Sequence, residues 1–393
     1  MADRVEGNDS YVDYCSLAVD GEGIPHIAYH AVYYAPFPFH ELRYTYRNSG
    51  GWSAPQIVDW GALYWWAGQG VSLALDHTGA ARVAYLAGYR IDAEVRYARQ
   101  GTDGWAIRRV EFTRYAEPSP SLALDRFESP TILYYDQESQ ELQCARWERN
   151  DWGVAVVEPR GGYVGQYSAL VLDAEGNAHI AYTGSAGESV RYAHWNAGGW
   201  QITTITRGIV WGISLALDSA GSPHLCFCGP GGLRYAHRPA GDWLVTTVST
   251  TPCRGVSLAL DGAGKPHIST LESVGDYESY ILSYTHWNGQ AWLRTVVSPL
   301  DTESASLALD GAGNPHIAYL DRDSEMLRYA DRGRSGWTSQ GVDHADPWGV
   351  VSLALDGTGT PHIAYDAGGS DGEVRYAHGD GGAWITATIA VTA

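Results

Sequence analysis

The sequence predicts an all-β chain folded as an eight-bladed β-propeller with four antiparallel strands per blade. Three observations carry the prediction. One stretch, seen as SLALDGAGNPHIAYLD from Ser306 to Asp321, recurs eight times; each recurrence holds four short apolar runs separated by turn residues; and a tryptophan opens the fourth run of every unit. Aligning Asp20, Asp76, Asp125, Asp173, Asp218, Asp261, Asp310 and Asp356 gives spacings of 56, 49, 48, 45, 43, 49 and 46 residues. That period overrides the two or three domains that 393 residues would otherwise suggest. We therefore read residues 1–393 as one domain, with blades starting near 15, 71, 120, 168, 213, 256, 305 and 351.

The first run is S-L-A-L-D and the second P-H-I-A-Y. The third is L-R-Y-A, as in Leu233-Arg234-Tyr235-Ala236. The fourth opens at Trp52, Trp105, Trp152, Trp200, Trp243, Trp292, Trp337 or Trp384 and continues in β-branched residues, as in WQITTIT from Trp200. Runs of four to seven such residues bounded by Gly, Pro, Asp and Asn are strands. No window has useful helical spacing, and 47 glycines would burden helices. If neighbouring blades cover both faces of each sheet, the first strand should be buried throughout, which accounts for its nearly continuous apolar character.

The strand, D-x-x-G turn, strand unit of Asp261-Gly262-Ala263-Gly264, Asp310-Gly311-Ala312-Gly313 and Asp356-Gly357-Thr358-Gly359 resembles the NHL and BNR-like propeller repeats of bacteria. The resemblance spans nearly the whole chain and implies an architecture, not an activity. The sialidase Asp-box pattern S-x-D-x-G-x-x-W is not supplied by these turns, so no sialidase chemistry is implied.

Composition excludes several partners. The formal charge of −19, with Lys265 the single lysine, disfavours nucleic acid and anionic membranes. No stretch reaches the length of an apolar membrane span, and Met1 to Glu6 lacks a basic start, so a cytoplasmic monomer is expected. Five unevenly spaced cysteines do not form a disulfide framework, and Cys226 and Cys228 read as buried small apolar side chains.

Recurring polar residues read as scaffold. His26, His179, His224, His267, His316 and His362 each follow the repeat aspartate by six residues, with Arg82 and Thr131 in the two remaining blades. Equivalent positions in successive blades lie a blade apart instead of meeting at one point, so no metal site and no cofactor is assigned. The aspartates brace tight turns, and the tryptophans fill the space between blades.

Function is expected where the repeat is broken, on loops joining second to third strands and one blade to the next. In the first blade these hold Tyr33, Tyr34, Phe37 and His40, then Trp60, Tyr64, Trp65 and Trp66, three tryptophans placed outside any strand. Such a wall can stack on sugar rings or cations, or plug the channel. Later connections carry Arg114, Arg160, Arg207 and Arg254 in a cationic arc, followed by acidic connections with Asp301, Glu303, Asp343 and Asp346. Tyr163, Tyr167, Trp211 and Trp348 complete the candidate ligand site. The expected function is recognition of a glycan or small anionic molecule at this mouth. The alternative is a lyase or cyclase using His40, Tyr115 or His344 with Arg114 or Arg160, because a base opposite an arginine that stabilises an enolate is the layout of β-elimination. A protein-interaction scaffold is the third possibility.

Overall fold

A computed structural model describes residues 10–33, 39–62, 65–89, 92–113, 120–159, 164–239, 241–275, 279–333, 336–368, 373–380, 382 and 383–391. The fold is an eight-bladed β-propeller: eight antiparallel sheets, each running first to fourth strand in chain order. The chain divides into two compact units, residues 1–156 with 354–393, and residues 157–353.

In the sixth blade the strands are Cys253–Leu260, Pro266–Val274, Ser279–Trp287 and Trp292–Ser298, and the other blades repeat this plan. The first blade differs in splitting its fourth strand into Gly51–Trp52 and Gln56–Ala62, both paired with the third strand. The Asp of every repeat builds its turn as expected. Asp261 accepts the backbone N–H groups of Ala263 and Lys265 on one carboxylate oxygen at 2.9 and 2.8 Å, and Gly264 takes the left-handed φ of +74° that closes the turn.

Burial runs opposite to expectation in one respect. Second strands such as Pro130–Asp136, Ala178–Thr183 and Pro223–Cys228 are buried throughout, whereas the first strands Ser121–Leu124, Ser168–Leu172 and Val351–Leu355 are mostly half-buried. Each first strand is the edge of its sheet, paired on one side only within the blade, so its apolar residues are shielded on fewer sides than those of the strand beside it.

Within the first unit the last blade packs on the first. Trp52 meets Tyr376 edge-on at 4.9 Å, and Arg47 hydrogen-bonds His378 at 2.8 Å. Among the described residues no strand is exchanged: the last blade has its own fourth strand, Ala383–Val391, and the first blade its own first strand, Ser10–Val19. Arg4-Val5-Glu6, which starts twelve residues before Ser16 just as Arg109-Val110-Glu111 starts twelve before Ser121 and so reads as the remnant of an outer strand, lies outside the described residues.

Two recurring contacts join successive blades. The repeat tryptophan meets the third-strand tyrosine of the preceding blade in T-shaped pairs: Tyr44–Trp105, Tyr97–Trp152, Tyr192–Trp243, Tyr235–Trp292 and Tyr284–Trp337, with centroids 4.9–5.5 Å apart. The serine of S-L-A-L accepts a backbone N–H from the next blade's first strand, Ser16 from Leu73, Ser72 from Leu122, Ser214 from Leu258 and Ser306 from Leu353, at 3.1–3.2 Å. The serine thus satisfies a donor on a strand edge that the blade itself leaves open.

The recurring histidines are joined into Asp–His–Tyr chains inside their own blades. His224 and His267 place Nδ1 2.5 Å from the hydroxyls of Tyr235 and Tyr284, and Nε2 faces Asp218 and Asp261 at 3.5 and 3.8 Å. Burial holds both imidazoles below their ordinary pKa. In the second blade Arg82 reaches Asp76 instead. Cys226, Cys228 and Cys253 are buried together in an apolar cluster, as expected of small apolar side chains.

Candidate functional site

In the first unit, Tyr33 stacks on Phe39 with centroids 4.6 Å apart, and the Arg43 guanidinium lies 5.1 Å from the Tyr33 centroid. His30 is fully buried, and its Nε2 lies 3.0 Å from Nδ1 of half-buried His40. Trp60 is 63% exposed. The three tryptophans placed outside strands by sequence are in strands: Trp60 belongs to Gln56–Ala62, and Trp65 and Trp66 open the strand Trp65–Leu75. Gly68 and Gly70, at φ +104° and +61°, carry bulges that let this strand run on through a stretch without regular alternation. Tyr34, Phe37 and Tyr64, and the side chains of Trp65 and Trp66, lie outside the described residues, as do Arg114, Tyr115, Arg160 and Tyr163.

The second unit brings three of the sequence-predicted residues together. Tyr167, Trp211 and Arg254 line one cavity of about 740 Å³ with Tyr280, Leu271 and Glu303. Tyr167 and Trp211 come from connections between blades; Arg254 and Glu303 come from the openings of the first strands of the sixth and seventh blades. Both openings are bulged, with register shifts between Arg254 and Val256 and between Thr302 and Ala305. Gly255 takes φ +55°, and a Cβ there would sit 3.1 Å from a methyl of Leu271. A bulge of this kind re-aims the neighbouring side chain.

Arg254 donates from Nη2 to Oε2 of Glu303 at 2.6 Å and lies 4.0 Å from the Tyr280 ring centroid. Its Nε is buried and, among the described residues, has no hydrogen-bond partner. Glu303 also faces Arg322 at 3.8 Å. Arg322 pairs with Asp301 at 3.0 Å and covers Trp348 at 3.8 Å from the ring centroid, while Asp301 accepts the Tyr280 backbone N–H at 2.8 Å. The network alternates in charge and fixes each side chain from two sides, which favours defined geometry over adaptability.

Of the four arginines of the expected cationic arc, Arg254 is paired with an acid of the next connection, so the charge is neutralised at this one position. Arg207 is exposed and lies beside a smaller cavity that also includes Gly229 and Arg234. His344 Nε2 lies 3.3 Å from Oε2 of Glu325, with both side chains about 60% exposed. Sequence reasoning missed Tyr280, Leu271 and Arg322 as site residues. The available signal was the R-G-V break in the first strand of the sixth blade, where a glycine interrupts an otherwise regular opening.

No protein-family model matches the chain, and no curated protein matches it. Its fold is similar to solved β-propellers. An ulvan lyase described as a new family of polysaccharide lyase aligns at 12% identity and TM-score 0.52, covering 80% of this chain and 93% of its own. AofleA from Arthrobotrys oligospora aligns at 14% identity and TM-score 0.44, covering 82% and 86%. A fucose lectin from Kordia zhangzhouensis aligns at 20% identity and TM-score 0.28, covering 35% of this chain and 99% of its own. At these identities the likeness concerns the fold alone.

Proposed function

We propose that the chain is a saccharide-binding propeller whose ligand occupies the cavity lined by Tyr167, Trp211, Arg254, Tyr280, Leu271 and Glu303. The observation that carries this reading is the Arg254–Glu303 pair, partly exposed in the cavity wall and set among the aromatic side chains of Tyr167, Trp211 and Tyr280. A sugar presents an apolar face that suits aromatic rings, and hydroxyls that suit a guanidinium and a carboxylate held side by side. A guanidinium carries several N–H donors and Glu303 engages Nη2 alone, so this pair suits a ring hydroxyl or a uronate carboxylate. The cavity volume lies within the range of small-molecule sites.

A glycan array with neutral and uronate-bearing saccharides, followed by calorimetry on the best binder, tests the proposal. One site per chain is expected, with affinity lost in Trp211→Ala and Arg254→Ala. Failure of every saccharide to bind, or binding unchanged in both variants, overturns it. Cleavage of a bound polysaccharide would convert the binding site into a catalytic one.

A further inference from the structure

The fourth blade departs from its siblings in one cluster. Four blades place a second histidine opposite the recurring one, across the second and third strands: His179 with His194, His224 with His237, His267 with His286 and His362 with His378. In three of these the ring centroids are 5.7–6.2 Å apart. In the fourth blade they are 4.4 Å apart. Among the described residues, Asp173, His179 and His194 are the group whose ligand atoms converge, all lying within 4.8 Å of one another.

We propose that Asp173, His179 and His194 bind one divalent transition-metal ion, with Zn²⁺ the best match to the donor set. Two imidazoles and a carboxylate with an open fourth position form a common zinc arrangement, and ligand atoms about 2.0–2.2 Å from a tetrahedral ion lie about 3.3–3.5 Å apart. The Oδ2 of Asp173 and the Nε2 of His179 are 3.4 Å apart. Asp173 commits Oδ1 to the backbone N–H groups of Glu175 and Asn177, leaving Oδ2 toward the histidines, where the Asn177 amide also meets it at 2.9 Å.

His179 is also oriented from behind. Its Nδ1 lies 2.6 Å from the Tyr192 hydroxyl, which fixes the ring plane and leaves Nε2 aimed at the cluster. A ligating histidine ordinarily has such a partner on its other nitrogen. The Arg238 charge acts on both histidines against a cation, and the Asp173 carboxylate acts in its favour.

The cluster lies within a single blade. The spacing argument that excludes a metal held between blades therefore does not reach it.

The test uses the full chain after EDTA treatment and desalting. Calorimetric titration with Zn²⁺, and the visible absorption of Co²⁺ as a tetrahedral reporter, should show one equivalent bound. His194→Ala should lose that equivalent. Tyr192→Phe should weaken binding roughly 10–100-fold, as expected for loss of an orienting partner. His286→Ala, which alters the more widely spaced pair of the sixth blade, should bind as the parent does. Circular dichroism melts establish that each variant is folded. Absence of saturable binding in the parent, or equal loss in His194→Ala and His286→Ala, overturns the proposal.

Discussion

Replacing Trp243 with alanine removes a side chain whose surroundings allow its contribution to be worked out. Trp243 is half-buried, packs against the apolar cluster of Leu215, Leu225 and Tyr192, and meets Tyr192 edge-on at 4.9 Å and 68°. Full truncation of a buried tryptophan costs about 3–5 kcal/mol; partial burial reduces that to about 2 kcal/mol. Loss of the edge-to-face pair adds about 1 kcal/mol, so Trp243→Ala should cost about 3 kcal/mol. Its indole N–H is buried without a hydrogen-bond partner among the described residues, an arrangement that already costs the parent about 1–3 kcal/mol. Trp243→Phe keeps an aromatic edge and removes that donor, so it should cost less than about 1 kcal/mol. Urea unfolding followed by far-ultraviolet circular dichroism is the suitable assay, because 16 tryptophans would blur fluorescence. With a slope of about 3 kcal/mol/M, the alanine variant should lower the midpoint by about 1 M and the phenylalanine variant by about a third of that or less. Equal shifts in the two variants, or an alanine shift equivalent to less than about 1 kcal/mol, would refute the assignment of this tryptophan to the contact between blades.

Other perturbations test other levels of the structure. Ser214→Ala should cost about 1 kcal/mol by stranding the Leu258 N–H, read as a shift in the same urea midpoint; no shift would show that solvent replaces the bond. Gly232→Ala should destabilise strongly, because φ is +86° and the new Cβ would clash with the Ser249 carbonyl oxygen; an unchanged melting temperature would contradict the geometry. Stability should fall as pH drops below about 6.5, because His26, His224, His267 and His362 are depressed by burial and so are protonated more readily in the unfolded chain. A second loss should follow between about pH 4 and 2. There Asp356 titrates: burial would raise its pKa, but the Thr358 hydroxyl and the backbone N–H groups of Thr360 and Thr358 outweigh it and hold it at about 2. Melting temperatures measured from pH 8 to pH 3 that stay flat would refute both assignments.

The strands and turns were legible because each repeat states them again. The S-L-A-L-D run, its Asp-braced turn and the L-R-Y-A tyrosine recur at positions where packing leaves little choice. The role of Ser214 was not legible, since the N–H it satisfies belongs to Leu258 in the following unit. The strand character of Trp65 and Trp66 was hidden by Gly68 and Gly70, whose bulges break the two-residue alternation that reveals a strand. At the candidate site, the sequence singled out Tyr167, Trp211 and Arg254 as departures from the repeat, and the fold gathers them around one cavity. It could not show that Arg254 meets Glu303, because that pair spans 49 residues and depends on two bulges facing each other. Nor could it show that Asp173, His179 and His194 converge while the equivalent histidine pairs of other blades stay farther apart, since those blades carry the same residue types at the same positions.

The tryptophan of one blade completes the aromatic pair of the blade before it, so the module that repeats along the chain is offset from the module that packs. A fragment cut at the sequence boundaries keeps a Tyr284 or a Trp243 whose counterpart has been left behind. Recombination that duplicates or deletes whole repeats instead leaves every junction with both halves of its contact, which allows such a chain to change its blade number by a single genetic event without designing a new interface.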